Sequence, residues 1–238
     1  METPKVIYQD DDVLVLDKPS GWVVNDAKTA HGNPILQNWL KENYNYPISQ
    51  SIEKRSGIVH RLDKETSGLL LIAKNEAAFD GLQSQFKERL VKKTYSALVH
   101  GKFNDMEGVI SEPVGRLPWN RERFGVLPSG KASLTEYCVT ASYLDKQKNM
   151  YSLLELLPKT GRTHQIRVHL KSINHPIVSD LFYAGRKTSR KDRLWCPRLF
   201  LHAGVIGFKN PGSGKAMSLN SSLPADLNSA LAKLSLLI

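Results

Sequence analysis

Apolar positions along the chain recur with two periods, one extended and one helical. Lys5-Val6-Ile7-Tyr8-Gln9 and Val13-Leu14-Val15-Leu16-Asp17-Lys18 are short runs of β-formers parted by an Asp10-Asp11-Asp12 turn and stopped by Pro19-Ser20-Gly21, which predicts two strands. Asn33 and Pro34 read as N-cap and first residue of a helix whose apolar face is Ile35, Leu36, Trp39 and Leu40. The apolar run Leu69 to Ala73 predicts a strand, and Phe79, Leu82, Phe86 and Leu90 predict a helix over 76–89. Further strands are expected over 93–101, 132–144, 151–157 and 199–208, with an excursion over 103–130 that contains a hairpin. Ile166, Leu170 and Ile173 share a face and predict a short helix over 164–173, with Pro176 just beyond it. Residues 185–198 read as a basic loop. Leu227, Leu231, Leu234 and Leu237 predict a closing helix over 223–238, with Pro224 near its start.

With 238 residues and neither repeat nor linker, the economical expectation is one continuous domain over 1–238, mixed α/β in pattern. No apolar run approaches the roughly 20 residues of a membrane span, and the first residues lack the features of a signal peptide. The two cysteines, Cys138 and Cys196, form no scaffold and fit a reducing compartment, so the cytoplasm is the expected location. No metal is expected, because His164 and His169 are five residues apart and miss the one-turn spacing of a helical ligand pair. Charge changes the picture more. Lys and Arg number 33 against 23 Asp and Glu, a formal charge of +10 that favours a polyanionic partner.

The most informative stretch is His60-Arg61-Leu62-Asp63-Lys64-Glu65-Thr66-Ser67-Gly68, which leads into an apolar strand. It sets a carboxylate two residues after a guanidinium, on a bend at a strand mouth, where catalytic groups are often presented. This nonapeptide resembles the signature of the RluA-type RNA pseudouridine synthases. Four more segments resemble the same family in the same order. They are Lys18-Pro19-Ser20-Gly21 after its strand; Lys93-Thr94-Tyr95 with Ala97, Val99 and Gly101; Gly161-Arg162-Thr163-His164-Gln165-Ile166-Arg167-Val168-His169; and Pro176-Ile177, Asp180, Tyr183, Arg198 and Leu201-His202-Ala203. Together they span residues 13 to 203.

The resemblance implies an α+β fold, a largely antiparallel mixed sheet flanked by helices with a central basic cleft. It also implies isomerisation of uridine to pseudouridine, a reaction without redox change or energy input, for which no cofactor is expected. Asp63 is then the nucleophile, Tyr95 the active-site tyrosine, and a basic partner for the aspartate comes from the third motif. Arg167 is the candidate for that partner and Arg162 the alternative; either also suits phosphate. A carboxylate nucleophile divides the hard step in two, and a neighbouring guanidinium favours its ionised form. The target base has to leave the stack to be reached, and Arg61 is implied as the side chain that fills the gap.

RNA contact is expected from Arg61, Arg162, Arg186, Lys187, Arg190 and Lys191, from Lys87, Arg89, Lys92 and Lys93 leading up to the tyrosine strand, and from Arg116, Arg121 and Arg123 around Trp119, since folded RNA needs both phosphate neutralisation and stacking. Histidines 60, 164 and 169 are expected to pack rather than react. The expected partner is structured RNA, rRNA or tRNA, and a monomer is the default expectation. Two departures bear on substrate fit. Trp22-Val23-Val24-Asn25-Asp26 follows Gly21 where a small basic or His-containing stretch is usual, and Ser179 stands before Asp180 where glycine is usual. The landmarks begin by residue 13, so no amino-terminal S4 domain is expected and recognition falls to the catalytic domain.

Overall fold

Strand formation follows the patterning closely in the first third of the chain. In the computed structural model, which describes residues 2–25 and 32–237, β1 is Lys5–Gln9, β2 Val13–Lys18, α1 Leu36–Asn43, β3 Ser67–Ala73 and α2 Glu76–Lys87. Next come β4 (Lys92–His100), β5 (Glu107–Ile110), β6 (Val114–Leu117), β7 (Asn120–Val126), β8 (Thr135–Leu144) and β9 (Met150–Pro158). The remaining elements are α3 (Gln165–Ser172), α4 (Arg186–Asp192), β10 (Leu201–Lys209), β11 (Ala216–Asn220), α5 (Ala225–Leu231) and β12 (Ser235–Leu237). The fold is α+β, with antiparallel pairing throughout the registers β1–β2, β2–β3, β10–β11, β4–β9, β8–β9, β5–β8 and β8–β12.

The chain divides into two compact units, Met1–Lys93 with Ala203–Ser221, and Thr94–His202 with Ser222–Ile238. In the first, β3 is buried along its whole length and lies between β2 and β10. That placement explains its unbroken apolar run: a strand covered on both faces has no polar side to show. Val13 to Leu16, Leu69 to Ile72, Leu36, Leu40 and Leu82 form the core of this unit. In the second, β4, β9 and β8 pair in turn, and α3 contributes the buried Val168 and Leu170.

The helix ends show what local pattern does and does not decide. Asn75 caps α2, its side-chain oxygen accepting the Ala78 N–H at 2.8 Å, as Ser, Asn and Asp do at such positions. The Asn33-Pro34 start for α1 is corrected: the helix begins at Leu36, without a side-chain cap. Its first N–H groups are satisfied instead by the Val23 and Val24 carbonyls, at 2.8 Å to Leu36 and 3.1 Å to Gln37.

Two longer-range corrections follow. The basic segment 185–198 is not a loop, for α4 occupies 186–192. The closing helix ends at Leu231, and residues 235–237 pair with β8 as a strand. An unpaired strand edge offers backbone donors and acceptors that a helix cannot use, and the apolar tail takes them. β11, which the patterning does not predict, pairs with β10. Among the described residues no helix is long and apolar enough to cross a membrane.

Candidate active site

Asp63 stands on a turn closed by the Thr66 N–H, which donates to the Asp63 carbonyl at 3.1 Å, just ahead of β3. A second segment clamps that turn. Gly21 N–H donates to the Lys64 carbonyl at 2.8 Å, and the Ser20 hydroxyl donates to the Glu65 carbonyl at 2.9 Å. Lys18 is 0% exposed, and its ammonium donates to the carbonyls of Pro19 (3.0 Å), Trp22 (3.1 Å) and Lys64 (3.3 Å). The Lys18-Pro19-Ser20-Gly21 motif is thus the brace of the Asp63 turn. Gly68 completes it: its φ is +117°, and a Cβ there would lie 2.3 Å from the Ala203 carbonyl oxygen, so no other residue fits. Asp63 itself is half-buried and Arg61 exposed.

His60 ties the same loop to β3. The Leu71 N–H donates to its Nε2 at 2.9 Å, so Nε2 is unprotonated and Nδ1 carries the proton. Its ring stacks on Phe86 with centroids 4.9 Å apart. Burial first, and then the nearby Lys93 ammonium, pushes its pKa down to about 3. A histidine so held is neutral at physiological pH and serves packing.

In the second unit, the third motif builds a polar frame around α3. The Gln165 side-chain oxygen accepts from the Thr160 hydroxyl (2.7 Å) and the Arg162 N–H (3.0 Å), while its amide donates to the Leu134 carbonyl (3.1 Å) and Thr135 Oγ1 (3.0 Å). His169 Nε2 faces the Glu112 carbonyl at 3.0 Å and must carry the proton, leaving Nδ1 to meet Thr135 Oγ1 at 2.9 Å. His164 enters α3 with φ +56° and lies 2.8 Å from the Tyr183 hydroxyl, which also accepts the Phe124 N–H at 3.0 Å. His164 and His169 are therefore structural members of the motif.

Arg167 is 4% exposed and forms a bidentate pair with Asp180, Nε to Oδ2 at 2.8 Å and Nη2 to Oδ1 at 2.9 Å. Asp180 is 0% exposed and also accepts the N–H groups of Phe182 (2.9 Å) and Tyr183 (3.1 Å). The guanidinium carbon lies 5.0 Å from the Tyr183 ring centre and 5.4 Å from that of Phe182. The pairing of Arg167 with Asp180 is what sequence reasoning missed; the place of Asp180 beside Tyr183 in a family landmark was the available signal. Arg162 is half-buried, and its Nε is buried without a hydrogen-bond partner among the described residues. Tyr95 is buried on β4, opposite Leu156 of β9.

Ser179 has φ +62°, the left-handed backbone that explains why glycine is usual there. Serine holds it through two bonds: its N–H donates to Asp192 Oδ2 at 2.9 Å and its hydroxyl to the Cys196 carbonyl at 2.7 Å. In the other departure, Trp22 and Val24 are buried, and Asp26 lies outside the described residues.

Arg186, Lys187, Arg190 and Lys191 all face solvent on α4, at the i, i+1, i+4, i+5 spacing of one helical face, while Ser189 and Asp192 are buried. Trp119 is 77% exposed at the tip of the β6–β7 hairpin, in which Arg116 lies over Phe124 (4.9 Å). Arg123 of the same hairpin lies over Phe182 (5.6 Å).

A family model described as RNA pseudouridylate synthase matches residues 12–172, and the chain belongs to the RNA pseudouridine synthase family, of RluA type: isomerases that act on RNA. It is 38% identical over 222 residues to "Uncharacterized RNA pseudouridine synthase YlyB" of Bacillus subtilis, across 93% of this chain and 70% of that one. It is 40% identical over 232 residues to "Ribosomal large subunit pseudouridine synthase D" of Nitrosomonas europaea, across 95% of this chain and 64% of that one. The structure is similar to that of "Human RNA Pseudouridylate Synthase Domain Containing 1", with TM-score 0.77 and 30% identity, covering 99% of this chain and 89% of the other.

Proposed function

We propose that this protein isomerises specific uridines in structured RNA, rRNA or tRNA, with Asp63 as nucleophile and the target base flipped out of its stack. Relatives named for the ribosomal large subunit favour rRNA as the class. The observation that carries the reading is the braced Asp63 turn, in which Lys18, Ser20 and Gly21 hold the two peptide groups after the aspartate. A nucleophile is useful in proportion to how little it must reorganise. The buried, bidentate setting of Arg167 fits the same demand, and Arg167 rather than Arg162 is the proposed partner of Asp63. Tyr95 is the proposed active-site tyrosine.

In the reaction the N1–C1′ bond breaks and C5 joins C1′. The hydrogen on C5 leaves to solvent and N1 gains a proton, so atoms and electrons balance without an oxidant. Unstacking the target costs a few kcal/mol. Arg61 is exposed, two residues from Asp63 and next to the anchored His60, and is the proposed side chain that fills the gap. Arg186, Lys187, Arg190, Lys191 and Arg162 are proposed to meet phosphates.

The test is tritium release from unmodified transcripts of bacterial large-subunit rRNA and of tRNA labelled at C5 of uridine. RNA-dependent release is expected from the wild type and is expected to fall to background in Asp63→Ala. Tight, salt-sensitive binding of every RNA pool without release from any of them overturns the reading in favour of a binding protein.

A further inference from the structure

Lys93 is a half-buried cation of β4 that the mechanism leaves without a task. Its ammonium lies 5.8 Å from the Phe86 ring centre, and Phe86 in turn stacks on His60, three residues before Asp63. The groups that meet it are the Phe86 ring of α2 and the neutral His60 ring of the loop ahead of β3; neither is an anion. Among the described residues its ammonium makes neither a hydrogen bond nor an ion pair. Side chains alternate along a strand, so Lys93 shares its face of β4 with Tyr95.

A cation taken partly out of water without a counter-charge costs stability, and such groups are kept where a ligand supplies the missing charge. Resting on the reading that the protein modifies RNA, we propose that Lys93 is a binding residue for a phosphodiester of the RNA strand beside the target nucleotide. A compact ammonium on a flexible stem suits a single phosphate oxygen. Burial lowers the Lys93 pKa in the free protein, and a bound phosphate raises it again. RNA binding therefore draws a proton onto Lys93 at alkaline pH, and affinity declines as pH rises past the free-protein value.

The structural alternative is a cation–π prop for Phe86, and the two make opposite predictions. Binding of an unmodified transcript of bacterial large-subunit rRNA is measured for wild type, Lys93→Met and Lys93→Arg, against salt and from about pH 7 to about pH 10. Melting temperatures are taken alongside. Lys93→Met is expected to melt at or above the wild-type temperature, to bind about tenfold more weakly, and to lower the salt slope by about 0.7 to 0.9. Lys93→Arg is expected to keep the affinity and lose the alkaline decline, because a guanidinium does not titrate there. Unchanged affinity and salt slope in Lys93→Met overturn the proposal. So does a lower melting temperature with no loss of affinity at a temperature where the variant is folded. Wild type that neither binds RNA nor releases tritium overturns the functional reading itself, an outcome distinct from failure at Lys93 alone.

Discussion

Arg167 and Asp180 are both withdrawn from water, a state that neither charge tolerates alone. Their bidentate geometry, the two backbone N–H groups on Asp180 and the flanking Tyr183 and Phe182 rings offset the desolvation. Asp180 therefore fixes the plane of the guanidinium. Removing the carboxylate charge leaves Arg167 buried against a weaker partner. Asp180→Asn is expected to cost about 3 kcal/mol, which lowers Tm by roughly 6–12 °C in a chain of this size, read by thermal melting. Activity is expected to fall with it even at temperatures where the variant is folded, since the guanidinium loses its fixed orientation. The neutral His60 and His169 illustrate the converse: a ring that must accept an N–H or meet a hydroxyl is kept uncharged by burial.

Among the elements, α4 separates two jobs by face. Ser189 and Asp192 point inward, where Asp192 Oδ2 accepts the Ser179 N–H at 2.9 Å and lies 2.9 Å from His100 Nε2. Arg186, Lys187, Arg190 and Lys191 point outward. Cationic side chains presented on a helix already anchored from below need little backbone ordering when RNA arrives, which removes an entropy cost that a flexible loop would carry. Replacing all four with alanine is expected to leave Tm within about 2 °C, because exposed substitutions away from such ties change stability little. RNA affinity and its salt slope are both expected to drop, the slope by about 0.7 to 0.9 for each phosphate no longer neutralised, as titrations at several salt concentrations would read. An unchanged slope would remove α4 from the RNA surface.

Across the whole molecule, net charge is the property that bears most directly on an RNA partner. The excess of ten positive charges belongs to the chain as a whole and acts on any polyanion at long range. If about five phosphates are neutralised, the slope of log affinity against log salt is on the order of −4 to −5, a loss of roughly 250- to 1000-fold between about 50 and 200 mM salt. A slope near zero for the wild type would contradict an RNA substrate held by its backbone.

Local structure is what the order of amino acids settles without help. The apolar runs of β2 and β3, the apolar face of α2 and the β-forming run of β4 depend on near neighbours and on burial, so periodicity and turn residues were enough to find them, while the Asn75 cap of α2 came only with the structure. The five ordered motifs likewise named the chemistry, with Asp63, Tyr95 and Arg167 as its candidates, because residue types at fixed spacings are a property of the chain. Folding in three dimensions decided the rest wherever a backbone or charged group finds its partner far along the chain. The Val23 and Val24 carbonyls, not Asn33, begin α1; the open edge of β8 turns the end of the chain from helix to strand; anchoring through Asp192 makes α4 a helix despite its four outward charges. Asp180 meets Arg167, and Lys18 meets the Asp63 turn, only once the chain has folded back on itself. Hydrogen bonds and ion pairs are set by distance in space, and pattern along a sequence carries no record of distances between segments it does not join.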